Sequence, residues 1–197
     1  MRRHDRQSAG FSLVELLIVI VVIGVLAGIV IPSSNASLYD CLDGAAGIIA
    51  GDVAYARGLA VANDSNYRLT FDITNNQYTL TYAGSNPALN TLPPSPFRLR
   101  SDSATQQTVR LADFPRFGPP VRLYAVYAVG NAVPSVTTLE FSSLGETTRV
   151  EDTAIWLAAG TGTATRYMCV RANAITGLTF IEKFQASVPS GAVTSGS

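Results

Sequence analysis

Histidine is almost missing from this chain: His4 is the only one in 197 residues. A Ser-His-Asp or Cys-His arrangement would have to rest on that single side chain, within the first ten residues. No cluster of carboxylates and histidines offers zinc ligands. Gly160-Thr161-Gly162 lacks the surrounding G-x-x-x-x-G-K-[ST] pattern of a phosphate cradle and reads as a plain loop. Charge of either sign is also in short supply. Fourteen basic side chains balance fourteen acidic ones, which gives no global support for nucleic-acid binding. There is no internal repeat. These absences point away from an enzyme, and no cofactor or bound metal is expected.

What the chain does have is one long apolar run. Phe11 to Ile31 spans 21 residues, all apolar except Ser12, Glu15, Gly24 and Gly28. As a helix it would reach roughly 31 Å, enough to cross the hydrocarbon core of a bilayer. Arg2, Arg3 and Arg6 precede it, which places the N-terminus in the cytoplasm and exports the rest. Glu15 is the exception that matters. An unpaired carboxylate in hydrocarbon costs several kcal/mol, so an acid inside a span is a functional hypothesis. A secretory signal peptide and a plain single-span anchor are the competing readings. The first would need a small-residue cleavage site after the run, and Ala36 is the nearest one.

Beyond the run, apolar residues recur at helical spacing across 35–63: Leu38, Leu42, Ala45, Ile48, Ile49, Val53, Ala56, Leu59 and Ala60. Ser33, Ser34 or Asn35 could cap this helix after Pro32, and Asn63-Asp64-Ser65-Asn66 ends it. The two segments read as one long helix bent near Pro32. Gly44, Gly47, Gly51 and Gly58 each weaken it by about 1 kcal/mol relative to alanine, and close approach of helix to sheet is their expected reason, with a hinge as the alternative. Strands follow. Residues 67–73 and 78–82 alternate around Thr74-Asn75-Asn76-Gln77 as a hairpin. Further strands are predicted at 97–100, 107–112, 121–128, 136–142, 148–150, 153–158, 166–172 and 178–184, with a turn at Leu144-Gly145-Glu146. One helix and eight to ten strands predict an α+β domain with antiparallel sheet against the helix.

Gly10-Phe11-Ser12-Leu13-Val14-Glu15-Leu16 resembles the class III signal of type IV pilins and type II secretion pseudopilins. The resemblance implies a leader at 1–10, cut by prepilin peptidase after Gly10, and N-methylation of Phe11. It implies a transmembrane and filament-core helix at 11–32 and its amphipathic second half at 33–64. A globular antiparallel β domain would occupy 65–186 and a flexible tail 187–197. Glu15 becomes the fifth mature residue, which sets assembly register, and Pro32 the helix-bending proline. Without the leader, 11 basic side chains face 13 acidic ones, a formal −2. Ala56-Arg57-Gly58-Leu59-Ala60-Val61 is similar to an element of the H-type minor pseudopilins and of the FimT and FimU minor pilins. Leu139-Glu140-Phe141-Ser142-Ser143-Leu144-Gly145 and Arg166-Tyr167-Met168-Cys169-Val170 resemble later pieces of the same proteins. Where the DNA-binding FimT proteins carry Gly-Arg-x-Arg, this chain reads Gly177-Leu178-Thr179.

The resemblance therefore implies a structural minor pseudopilin of a type II secretion pseudopilus. A minor pilin that primes a type IV pilus or serves DNA uptake is the alternative, and a DNA receptor of the competence machinery is a different class. Implied partners are other pilins or pseudopilins, prepilin peptidase, the inner-membrane assembly platform and the membrane itself, with nucleic acid not expected. The implied location is the bacterial inner membrane, single-pass, with the globular domain in the periplasm. Cys41 and Cys169 then share an oxidising compartment. They could form a disulfide worth a few kcal/mol or stay two separately buried thiols. Asp102, Asp113, Glu151 and Asp152 are dispersed acids that read as solvated turns rather than calcium ligands. Arg57, Arg68, Arg98, Arg100, Arg110, Arg116 and Arg122 make the middle locally basic, as interleaved surface residues or as a patch for DNA or an acidic partner.

Overall fold

The computed structural model describes residues 12–30, 37–94, 101–113, 120–130 and 136–187. They fall into two units, divided between residues 36 and 37. The first contains helix α1 (Leu13–Val30), 18 residues long. It is apolar on all sides, and every side chain from Leu13 to Val25 is exposed. Gly10, Phe11, Pro32, Arg98, Arg100, Arg116 and the expected strand at 97–100 lie outside the described residues, as does the tail from 188.

The second unit opens with helix α2 (Leu38–Ala62). Its start is set by Ser37, not by the Ser33–Asn35 region. The Ser37 hydroxyl accepts a bond from the Asp40 amide at 3.1 Å, and the Asp40 carboxylate accepts one from the Ser37 amide at 3.2 Å. This reciprocal capping box satisfies two otherwise orphaned donors. The helix stops at Asn63, and Asp64 turns the chain with φ +47°. One stripe of α2 is buried: Cys41, Leu42, Ala45, Ala46, Ile49, Val53, Ala56, Leu59 and Ala60.

The glycines of α2 do not serve close packing. Gly44, Gly47, Gly51 and Gly58 all lie on the exposed face, and a Cβ at any of them would meet nothing within 4 Å. The expectation of close helix–sheet approach is thus overturned. The buried stripe uses alanines for its close contacts instead, at 45, 46, 56 and 60.

The strands form two four-stranded antiparallel sheets rather than one. The first contains β1 (Tyr67–Asp72), β2 (Gln77–Tyr82), β3 (Gln106–Arg110) and β5 (Thr138–Phe141), in the order β3-β2-β1-β5. The second contains β4 (Val121–Ala128), β6 (Thr153–Ala159), β7 (Arg166–Ala172) and β8 (Thr179–Ile181), in the order β4-β6-β7-β8. Residues 148–150 are not a strand. Thr147 makes a single bridge to Phe141, after which the Thr147 hydroxyl donates to the Arg149 carbonyl and closes a tight bend. Period-two alternation brings Tyr67, Leu69 and Phe71 to the core side of β1, beside Tyr78 and Leu80 of β2. Strand β6 is buried along its whole length, as a central strand covered on both faces should be. Asn76 joins the sheets. Its side chain donates to the Val121 carbonyl at 3.0 Å and accepts from the Leu123 amide at 2.6 Å.

Candidate functional site

Glu15 stands in the first turn of α1. Its amide donates to the Ser12 carbonyl at 3.0 Å. A carboxylate is favoured there by the helix dipole, but it has no ion-pair partner among the described residues. The turns that follow it are uniformly apolar and exposed up to Val25. Such a helix must be covered by lipid or by other apolar helices. Helix α2 is also long and apolar enough to cross a membrane by composition. It is instead the core helix of its domain, with nine buried residues on one side and Asp43, Asp52 and Arg57 along its length.

The two cysteines do not pair. Both are buried and free. Cys41 faces inward from α2. Cys169 belongs to a cluster with Trp156, Tyr167, Ala125, Ala154 and Ala158, whereas its neighbour Met168 shares a groove with Tyr39 and Asp43 of α2. Alternation along β7 therefore puts Cys169 on the sheet face turned away from α2. Burial, with the Glu182 charge adding to it, pushes the Cys169 thiol up to about 12. The disulfide reading is corrected to two separate buried thiols.

Two of the four acids considered for calcium, Asp102 and Asp152, serve local structure. Asp102 accepts from the Thr108 amide at 2.6 Å, and Asp152 accepts from Asn173 and from the Ala174 amide at 3.1 and 2.8 Å. Of the arginines in the middle, Arg68 pairs with Glu140 at 2.7 Å and Arg122 reaches the Gly160 carbonyl at 3.5 Å, while Arg110 is exposed.

Arg57 does more than the sequence indicated. Its Nε donates to the carbonyl oxygens of Gly145 and Thr176, at 3.0 and 2.9 Å. One side chain of α2 thus gathers two turns, 142–147 and 173–178. Gly145 and Gly177 have φ of +86° and +65°. A Cβ on Gly177 would lie 2.0 Å from the Gly145 carbonyl oxygen, so glycine is required there. Arg57 and Gly145 sit in two of the recognised sequence elements, which is the one signal that could have joined them.

A second pair had no sequence signal. The Tyr78 hydroxyl donates to Asp52 Oδ2 at 2.5 Å, linking α2 to β2. Burial raises the Asp52 carboxyl, and the Tyr78 bond lowers it by less. The same contact and its burial raise the Tyr78 phenol.

Residues 5–31 match the prokaryotic N-terminal methylation motif. No curated protein sequence matches the chain. Among solved structures, the chain is similar to the minor pseudopilin EpsH from the type 2 secretion system of Vibrio cholerae. The identity is 12%, the TM-score 0.48, and the match covers 73% of this chain and 97% of the other. It is also similar to the type IV minor pilin FimU of Pseudomonas aeruginosa, at 14% identity and TM-score 0.42, over 72% of this chain and 93% of the other. A second crystal form of FimU gives 15% identity and TM-score 0.43, over 72% and 88%.

Proposed function

We propose that this chain, whose N-terminal segment is of the type IV pilin and pseudopilin superfamily, is a non-enzymatic minor pseudopilin of a type II secretion pseudopilus. The methylation motif at residues 5–31 supports the pilin-type part of this reading, with Glu15 as the one carboxylate inside the apolar stretch. Prepilin peptidase cuts between Gly10 and Phe11 and methylates Phe11. Helix α1 holds the precursor in the inner membrane, with the second unit in the periplasm. On assembly, α1 passes from lipid into the core of a filament of pilin-type subunits, driven by the inner-membrane platform.

Glu15 supplies the physics of that step. Alone in an apolar medium, its ionised carboxylate bears a desolvation cost of several kcal/mol. The new amine of Phe11 on a neighbouring subunit bears a similar one. Pairing the two offsets both costs and fixes the axial register. Gly24 and Gly28 either loosen the span or pack against neighbours.

The decisive experiment is mass spectrometry of the N-terminal peptide from cells of the native host. A mature chain starting at N-methylated Phe11, present in sheared filaments, is the expected result. A chain that keeps residues 1–10, or one cut after Ala36, overturns the proposal. The absence of arginine after Gly177 argues against the DNA-uptake alternative. A coding neighbourhood with pilus genes in place of a secretion ATPase and secretin would restore the minor-pilin reading.

A further inference from the structure

We infer that the turns 142–147 and 173–178, together with the C-terminal end of α2, form a docking face for the globular domain of a different pilin-type subunit. That subunit presents a carboxylate flanked by apolar side chains. The inference rests on the pilin-type reading and adds the surface used and the chemistry of its occupant.

Leu144 and Ile175 are each 82% exposed and stand at the tips of these two turns. Val61 and Leu178 beside them are also exposed. The tips are not loose. The Gly145 amide donates to the Ser142 carbonyl, and Gly177 to Asn173, both at 2.9 Å. The Thr147 amide crosses to the Ala174 carbonyl at 2.8 Å and ties one turn to the other. Asp152 holds the Ala174 amide, and Arg57 holds the carbonyls of Gly145 and Thr176. A turn whose backbone is fixed before contact loses little backbone freedom on binding, which favours the apolar tips it carries as anchors.

Charge selects the occupant. Arg57 spends its Nε on the two carbonyls. Ion pairs among the described residues join Arg68 to Glu140 and Arg171 to Glu182, so no described carboxylate pairs with Arg57. Asp52, the acid nearest to Arg57 in sequence, is taken up by the Tyr78 hydroxyl, and the Glu146 side chain by Ser142. The face thus offers apolar tips around a cation with a planar fork of donors, which fits a carboxylate. A symmetric contact with a second copy would bring Arg57 against Arg57, and on the minor-subunit reading its neighbours in the filament are other chains, so a different subunit is the occupant.

The test uses the full chain in its native host. A photo-crosslinking amino acid at position 144 is expected to yield an adduct with a different pilin-type chain, on a peptide containing Asp or Glu. The double variant Leu144→Asp, Ile175→Asp should keep normal leader cleavage and thermal midpoint. Its level in sheared filaments should fall about tenfold, the effect of losing roughly 1.4 kcal/mol of contact. Adducts only with itself or with lipid, or undiminished incorporation of the double variant, overturn the inference and leave the pilin-type reading standing. A wild-type chain that is never cleaved and never enters filaments overturns both.

Discussion

The Nε of Arg57 and the carbonyl oxygen of Gly145 lie 3.0 Å apart, across 88 residues of sequence. This contact fixes a turn whose glycine has no room for a side chain. A Cβ on Gly145 would meet Val61 Cγ2 at 2.9 Å and Arg57 Nε at 3.1 Å. Gly145→Ala should therefore destabilise the folded chain by about 1–3 kcal/mol. Gly177→Ala should cost more, since its Cβ would strike a backbone oxygen. Gly162→Ala serves as the control: φ is +54° with open space around it, so only the backbone term of about 1 kcal/mol applies. Urea unfolding in detergent would rank the three, and equal costs would defeat the argument.

Processing and assembly should separate at two residues. Replacing Gly10 with a bulkier residue should leave uncleaved precursor in the membrane. Glu15→Val should be cleaved and yet stay out of filaments, because the partner amine would then be buried alone. Immunoblots of membranes and sheared filaments read both outcomes. A Glu15→Val chain that assembles at wild-type level removes the ion-pair account.

Asp52 makes a pH prediction. Its carboxyl is raised in the folded state, chiefly by burial. A raised group contributes stability that is fully present below the unfolded pKa, near 4, and is lost as pH rises through the folded value. Asp52→Asn removes that loss while keeping an acceptor for Tyr78. The variant should gain on the wild type as pH rises from about 4, by at most about 1.4 kcal/mol per pH unit. Chemical denaturation at several pH values checks the sign; a variant that loses stability relative to the wild type as pH rises contradicts it.

Cys41 and Cys169 should both titrate as thiols in denatured mature chain, with the same mass before and after reduction. The bridging alternative would show as a chain lighter by two hydrogens without reductant.

The exposed glycines of α2 should tolerate alanine. With nothing within 4 Å of any added Cβ, Gly44→Ala, Gly47→Ala or Gly51→Ala should each raise stability by up to about 1 kcal/mol. Thermal unfolding of the single variants reads this directly. A loss at any of them would indicate a contact that the isolated chain lacks.

Periodicity made most of the domain legible before any coordinates. Tyr67, Leu69 and Phe71 alternate as written, and the buried stripe of α2 follows its three-four spacing. Glu15 was readable because a carboxylate is conspicuous among apolar neighbours. Long-range pairing was not. Nothing local to Asp52 names Tyr78 as its partner, and nothing local to β4 says that it leaves the first sheet for a second. The glycines misled because composition reports that a Cβ is absent, not which side of the helix it is absent from. Thr148 to Val150 reads as a strand on propensity alone, but after one bond from the Thr148 amide to the Glu140 carbonyl, the bend closed by Thr147 and Arg149 ends the pairing.

The capping box at Ser37 has a consequence for how such a chain can change over generations. Helix α2 draws its start from Ser37 and Asp40, both on its own side of the boundary after residue 36. Both partners of its capping box thus belong to the domain itself. Recombination just ahead of Ser37 could graft this domain onto a foreign leader and span without unravelling its first helix. The anchor then behaves as an interchangeable address label, and the domain behind it is free to diverge in what it touches.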